Sequence, residues 1–189
     1  MKIVLASRSP RRIELLRMIG IENFEVITDE SDEDITPGLT PEQTVCKIAL
    51  KKAKNVSLKC DKKDLLIAAD TLVYLDGKPI EKPNSPDEAT QMLKSLSDRM
   101  HTVYTGVALY RDGIHITGAE ATNVHFREIL DYEISRYVET GEPMDKAGAY
   151  GAQGKAAVFV KRIEGDFFNV MGLPLCRLSI MLRNFGVFV

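Results

Sequence analysis

LLIAADTLVYL, residues 65–75, is the stretch on which the fold turns. An apolar run of this kind, followed at once by Asp76-Gly77, reads as a strand that ends in a tight turn, with a short return through Ile80. One residue does not belong in such a strand: Asp70 stands in its middle. A carboxylate there loses hydration unless a cation or a metal compensates it. Asp70 therefore reads either as a structural aspartate paired with a lysine or capping a turn, or as a functional acid.

Working outward, KIVLA (2–6) reads as a short buried strand, with Ser9 as N-cap and Pro10 in the first turn of a helix running to about Gly20. Ile13, Leu16 and Ile19 mark its inner face. FEVIT (24–28) is a second strand candidate. Thr40-Pro-Glu-Gln43 and Ser85-Pro-Asp-Glu88 both have the form of capping boxes. The first should open a helix with Val45, Ile48, Ala49, Ala53 and Val56 inward, the second a helix with Ala89, Met92, Leu93 and Leu96 inward. HTVYTGVALY (101–110) and residues 114–127, joined at Asp112-Gly113, read as a long hairpin. A helix over 131–140, a strand at AAVFVKRI (156–163) and a last helix after Pro174 complete the chain. Hairpins among interspersed helices predict an α/β fold with a mixed sheet covered by helices, in a single domain over residues 1–189.

The bulk composition narrows the function classes. With 189 residues, 44% hydrophobic and 28% charged, the chain has the make-up of an ordinary globular domain. A net charge of -2 gives no general attraction to polyanions, and no aromatic run lies beside a basic stripe, so nucleic acid is not the expected partner. No stretch approaches the ~20 apolar residues that cross a bilayer, and the first residues are too short an apolar run for a signal peptide, so no membrane partner and a cytoplasmic location are expected. Cys46, Cys60 and Cys176 are odd in number and far apart, which reads as packed thiols rather than a disulfide framework or a zinc site. His101, His115 and His125 sit in strand patterns and read as packed or surface residues.

Three further features bear on chemistry. SRSPRR (7–12) puts Arg11 and Arg12 in the first turn of a helix, where the dipole disfavours cations and an anionic ligand would remove the conflict. The acidic run Asp29, Glu30, Asp32, Glu33, Asp34 is either a solvated loop or, with Asp70, a source of oxygen ligands for Mg²⁺ or Mn²⁺. Residues 142–157 place Gly148, Gly151 and Gly154 three apart among alanines, either as a flexible loop or as backbone held close to a flat ligand. In the second reading Lys146 would meet a phosphate and Gln153 a base edge.

LASRSPRRIELL (5–16), AADTLVYLDGKPIEKP (68–83), EPMDKAGAYGAQG (142–154) and GDFFNVMGLPL (165–175) together resemble the Maf family of nucleotide pyrophosphatases over nearly the whole chain. The resemblance implies a strongly twisted mixed sheet flanked by helices, in two lobes around a central cleft, as in inosine triphosphate pyrophosphatases. It implies cleavage of a nucleoside triphosphate between its α and β phosphorus atoms with a divalent metal, Mg²⁺ or Mn²⁺, and suggests a homodimer. Carried over, Asp70 would be the proton acceptor or hold the metal, and Ser7, Arg11, Arg12, Lys52 and Lys82 would take the phosphates. Glu33 would be the metal-side glutamate; Ser31, standing where the family has an apolar residue, leaves Glu30 or Asp32 able to take its place. Thr71, Gln153 and Arg12 match the subgroup acting on dTTP and UTP. The family's older septum-formation name supports an alternative, a nucleotide-binding regulator with little turnover.

Overall fold

The computed structural model describes residues 2–28 and 35–189. Glu33, Glu30 and Asp32, on which the metal-side acid was expected, lie outside the described residues. The strands are β1 (Ile3–Leu5), β2 (Phe24–Val26), β3 (Leu65–Leu75), β4 (Lys78–Ile80), β5 (Met100–Arg111), β6 (Ile114–Phe126) and β7 (Val160–Glu164). The helices are α1 (Pro10–Met18), α2 (Pro41–Ser57), α3 (Pro86–Leu96), α4 (Asp131–Glu139), α5 (Phe167–Val170) and α6 (Leu175–Arg183). The strands form one seven-stranded sheet in the order β2-β1-β3-β5-β6-β7, with β4 on β3. β1 runs parallel to β2 and to β3, whereas β3–β4 and β6–β7 are antiparallel, so the mixed α/β sheet flanked by helices is present.

The chain divides into two compact units, Met1–Asp70 with Thr105–Glu120 and Gly172–Val189, and Thr71–Tyr104 with Ala121–Met171. In the first, α2 lays Ala49, Ala53 and Val56 against Val4 of β1, Leu66 and Ala68 of β3 and Ala108 of β5. The close approach depends on Gly106, whose position would bring a Cβ into the backbone of Val45 and Cys46. In the second, Leu93 and Leu96 of α3 and Ile134 and Tyr137 of α4 pack with Val73, Val103, Val124 and Phe126 of the sheet. Burying a side chain of this size stabilises the fold by about 1.5–3 kcal/mol.

Local chemistry explains most element ends. The Thr40 side chain accepts the Gln43 N–H at 3.3 Å while Gln43 accepts the Thr40 N–H at 3.0 Å, the full capping box. Ser85 accepts the Glu88 N–H at 3.1 Å, but Glu88 turns to the backbone and side chain of Asn84 instead of Ser85, so this second box is only half made. Ser9 occupies the N-cap of α1 without a side-chain cap bond; its own N–H donates to Ser7 Oγ at 3.3 Å. The α1 face is also rotated from expectation, with Leu15 and Leu16 fully buried and Ile13 and Ile19 half-buried.

Two expectations are corrected. AAVFVKRI is not a continuous strand: Lys155–Phe159 is a 3₁₀ turn, and β7 begins only at Val160. Ala156 and Phe159, three apart, are its buried residues, and a short apolar run does not distinguish that spacing from a buried strand. Cys176 is exposed, and Cys46 and Cys60 are half-buried, so the thiols are free but not all packed. No helix among the described residues is long and apolar enough to cross a membrane.

Candidate active site

The residues singled out for chemistry fall on both units, and each group has its own architecture. In the first unit, β3 carries Asp70 as a residue 3% exposed. The opposing charge comes from α2. Lys52 follows Ala49 by three positions and precedes Ala53, so its stem leaves the edge of the buried face while its ammonium reaches Asp70 Oδ1 at 2.7 Å. The side chains are 13% and 4% exposed, which makes this a buried ion pair. Such a pair adds little net stability, because desolvation offsets attraction, but breaking it leaves a charge uncompensated. Asp70 Oδ2 is buried and has no hydrogen-bond partner among the described residues. A buried carboxylate oxygen aimed at no donor is where a strand would hold a proton acceptor or a hard-cation ligand.

The turn after β1 supplies the cations. Arg12 Nε donates to the Gly172 carbonyl at 2.7 Å, and its Nη1 donates to Ser7 Oγ at 3.1 Å. The guanidinium is thus fixed by a backbone oxygen 160 residues away in sequence and by the turn itself. Arg11 is half-buried and Arg8 exposed. No acid occupies the first turn of α1, so the positive end of the helix dipole and the arginines act in the same direction.

In the second unit, Thr71 is half-buried on β3, and Lys82 and Gln153 are exposed. Glu142–Asp145 and Ala147–Ala149 are short 3₁₀ turns, so the glycine-rich segment has a defined course. Gly148 has φ +71° and packs on Val73, where a Cβ would come within 3.0 Å of the valine methyl. Its N–H donates to the Glu81 carbonyl at 3.1 Å, next to Lys82. Lys146 Nζ donates within its own loop, to the Glu142 carbonyl at 2.7 Å and to Asp145 at 2.6 Å. Beneath the loop, His101 is buried, with Nε2 2.7 Å from the Tyr150 hydroxyl. Burial, with a smaller contribution from His125, pushes the His101 imidazolium down to about 4.

Sequence reasoning named Ser7, Arg11, Arg12, Lys52 and Asp70, and the first unit brings Lys52 to Asp70 and Arg12 to Ser7. It assigned no role to Gly172, Tyr137 or Glu142. A backbone carbonyl has no side-chain signature; the available hint was a glycine before Leu-Pro, which here adopts φ +102°. Among the described residues no group of three or more His, Cys, Asp and Glu side chains is placed to hold a metal ion.

Comparison with known proteins follows the same outline. The family model of Maf-like protein matches residues 2–185. The dTTP/UTP pyrophosphatase of Alkaliphilus oremlandii is 49% identical over 185 residues, covering 97% of this chain and 95% of that protein. The dTTP/UTP pyrophosphatase of Acetivibrio thermocellus is 47% identical over 196 residues, covering 100% and 97%. Among solved structures, the Ham1 protein of Staphylococcus aureus aligns with TM-score 0.52 at 16% identity, covering 98% of this chain and 100% of that one. A HAM1 protein from Coxiella burnetii aligns with TM-score 0.51 at 18% identity, covering 97% and 99%. The solved structures share the fold. The chain belongs to the Maf family.

Proposed function

We propose that this protein is a nucleoside triphosphate pyrophosphatase that converts dTTP and UTP to the monophosphate and pyrophosphate. The observation that carries the reading is Asp70: Oδ1 is held by Lys52 at 2.7 Å, while Oδ2 is buried without a partner among the described residues. The names of relatives at 44–49% identity support the reaction and the pyrimidine substrates.

In this reading Asp70 accepts the proton of the attacking water, whose oxygen forms the new bond to the α phosphorus while the bond to the bridging oxygen breaks and pyrophosphate leaves. Lys52 holds Asp70 in orientation, and its charge adds to that of Arg12. Ser7, Arg11 and Arg12 take phosphate oxygens, with Arg12 held ready by Gly172 and Ser7. On the second unit, Lys82 and Lys146 are further phosphate partners, and Thr71 and Gln153 select the base. A pocket that reads hydrogen bonds rejects analogues, because each buried polar group left unmatched costs about 1–3 kcal/mol.

The donor set fits Mg²⁺ or Mn²⁺, since the orphaned Asp70 Oδ2 is a hard oxygen and such ions take one or two carboxylates together with substrate phosphates. Asp70 would hold the ion, with Glu33 as its second acid. When bound, the cation neutralises charge on the phosphates. The reading includes a cytoplasmic location, free nucleotides as partners and a role in clearing the nucleotide pool, with a link to division arrest.

The test is pyrophosphate release from dTTP, UTP, CTP, GTP, ITP and 7-methyl-GTP with Mn²⁺ or Mg²⁺, beside Asp70→Asn. Turnover of dTTP and UTP, reduced about 10²–10⁴-fold or more in the variant, is the expected result. Folded protein that binds nucleotide and turns over none would instead support the regulator.

A further inference from the structure

Resting on the reading above, we propose that Tyr137 and Glu142 form a positioning pair that sets the shape of the 146–153 loop for nucleobase recognition. The segment is mostly glycine and alanine; apart from Tyr150, whose hydroxyl meets His101, it has few side chains with which to fix its own course, so the stretch after Tyr150 depends on contacts from outside. Tyr137, buried on α4, donates its hydroxyl proton to Glu142 Oε1 at 3.1 Å and accepts the Gly151 N–H at 3.2 Å. The Glu142 carboxylate accepts the Lys155 N–H at 3.1 and 3.2 Å, and the Glu142 carbonyl accepts from Lys146 Nζ at 2.7 Å. The two side chains therefore tie down Gly151 and Lys155, with Gln153 midway between them, while Lys146 is held by the Glu142 backbone carbonyl, which substitutions of the pair leave in place.

The glycine spacing follows from the same contacts. A Cβ on Gly154 would overlap the Glu142 carboxylate, and one on Gly151 would come within 2.8 Å of Lys146 Cε. Gly151 and Gly154 are thus small because Glu142 and Lys146 fill the space beside them. Burial, and next the Glu142 carboxylate, push the Tyr137 hydroxyl upward, so it stays a donor across the working pH range.

The experiment compares wild type, Tyr137→Phe, Glu142→Ala and Glu142→Gln in dTTP and UTP turnover, inhibition by inorganic tripolyphosphate, and thermal midpoint. Tripolyphosphate has no base, so its inhibition reads the phosphate contacts alone. Positioning predicts that Tyr137→Phe and Glu142→Ala raise KM about tenfold or more with kcat within about threefold and tripolyphosphate inhibition unchanged. Glu142→Gln, which keeps an acceptor oxygen, should recover part of the loss. Unchanged KM in folded variants overturns the proposal. So does a change in kcat and tripolyphosphate inhibition as large as that in KM, which is what a merely structural role would give. If the wild type turns over no nucleotide, the reaction itself fails and calorimetric UTP binding decides the pair: weaker binding by Glu142→Ala supports it, whereas equal binding, or none by wild type, overturns it.

Discussion

At the scale of single residues, Asp70 and Lys52 form a contact that is structural and, in the proposed reaction, chemical as well. The ammonium neutralises a carboxylate that the strand has removed from water, and it leaves the second oxygen available. Lys52→Met should therefore destabilise the fold by about 3–5 kcal/mol, because the Asp70 charge is left buried and alone. The measurement is the denaturant midpoint, and Lys52→Met with Asp70→Leu should recover part of the loss, a coupling that a double-mutant cycle reads directly. His101 makes a pH prediction of definite sign. Its folded pKa, about 4, lies below the ordinary 6.5, so its neutral form stabilises the fold fully above pH 6.5. That contribution, on the order of 3 kcal/mol, is lost as pH falls from 6.5 towards 4. Thermal midpoints from pH 7 to pH 4 should fall more steeply in wild type than in His101→Gln; parallel profiles would show that His101 is not the group responsible.

At the scale of elements, α2 and β5 depend on each other through a single missing methyl group. Gly106 lets the strand approach the helix backbone at Val45 and Cys46, and two turns further along the same helix Lys52 reaches Asp70. Gly106→Ala should push α2 off the sheet, lowering stability by about 1–3 kcal/mol as overpacked sites do. Because the helix carries the lysine, turnover should fall as well, measured at a temperature where the variant is fully folded. Most elements were legible in the sequence for local reasons. The apolar run 65–75 is β3 residue for residue, and the Thr40 box opens α2 at Pro41. Where local signals were ambiguous the reading missed: Ala156 and Phe159 serve a 3₁₀ turn rather than a strand, and Glu88 bonds to Asn84 rather than completing its box.

At the scale of the whole molecule, the family assignment extends over residues 2–185, so both compact units belong to the shared design. The proposed reaction predicts that dialysis against EDTA abolishes pyrophosphate release from dTTP and UTP and that Mg²⁺ or Mn²⁺ restores it. Release undiminished after exhaustive chelation would count against a metal at Asp70. By itself, the sequence determined most of the strands, most of the helix starts and the family, since hydrophobic period, capping side chains and long motifs are local properties of the chain. Only the tertiary structure decided that Lys52 neutralises Asp70, that the Gly172 carbonyl holds Arg12, and that Tyr137 and Glu142 anchor the glycine-rich loop. Those contacts depend on which groups burial leaves in need of a partner once helices and strands have packed, and no local pattern encodes that choice.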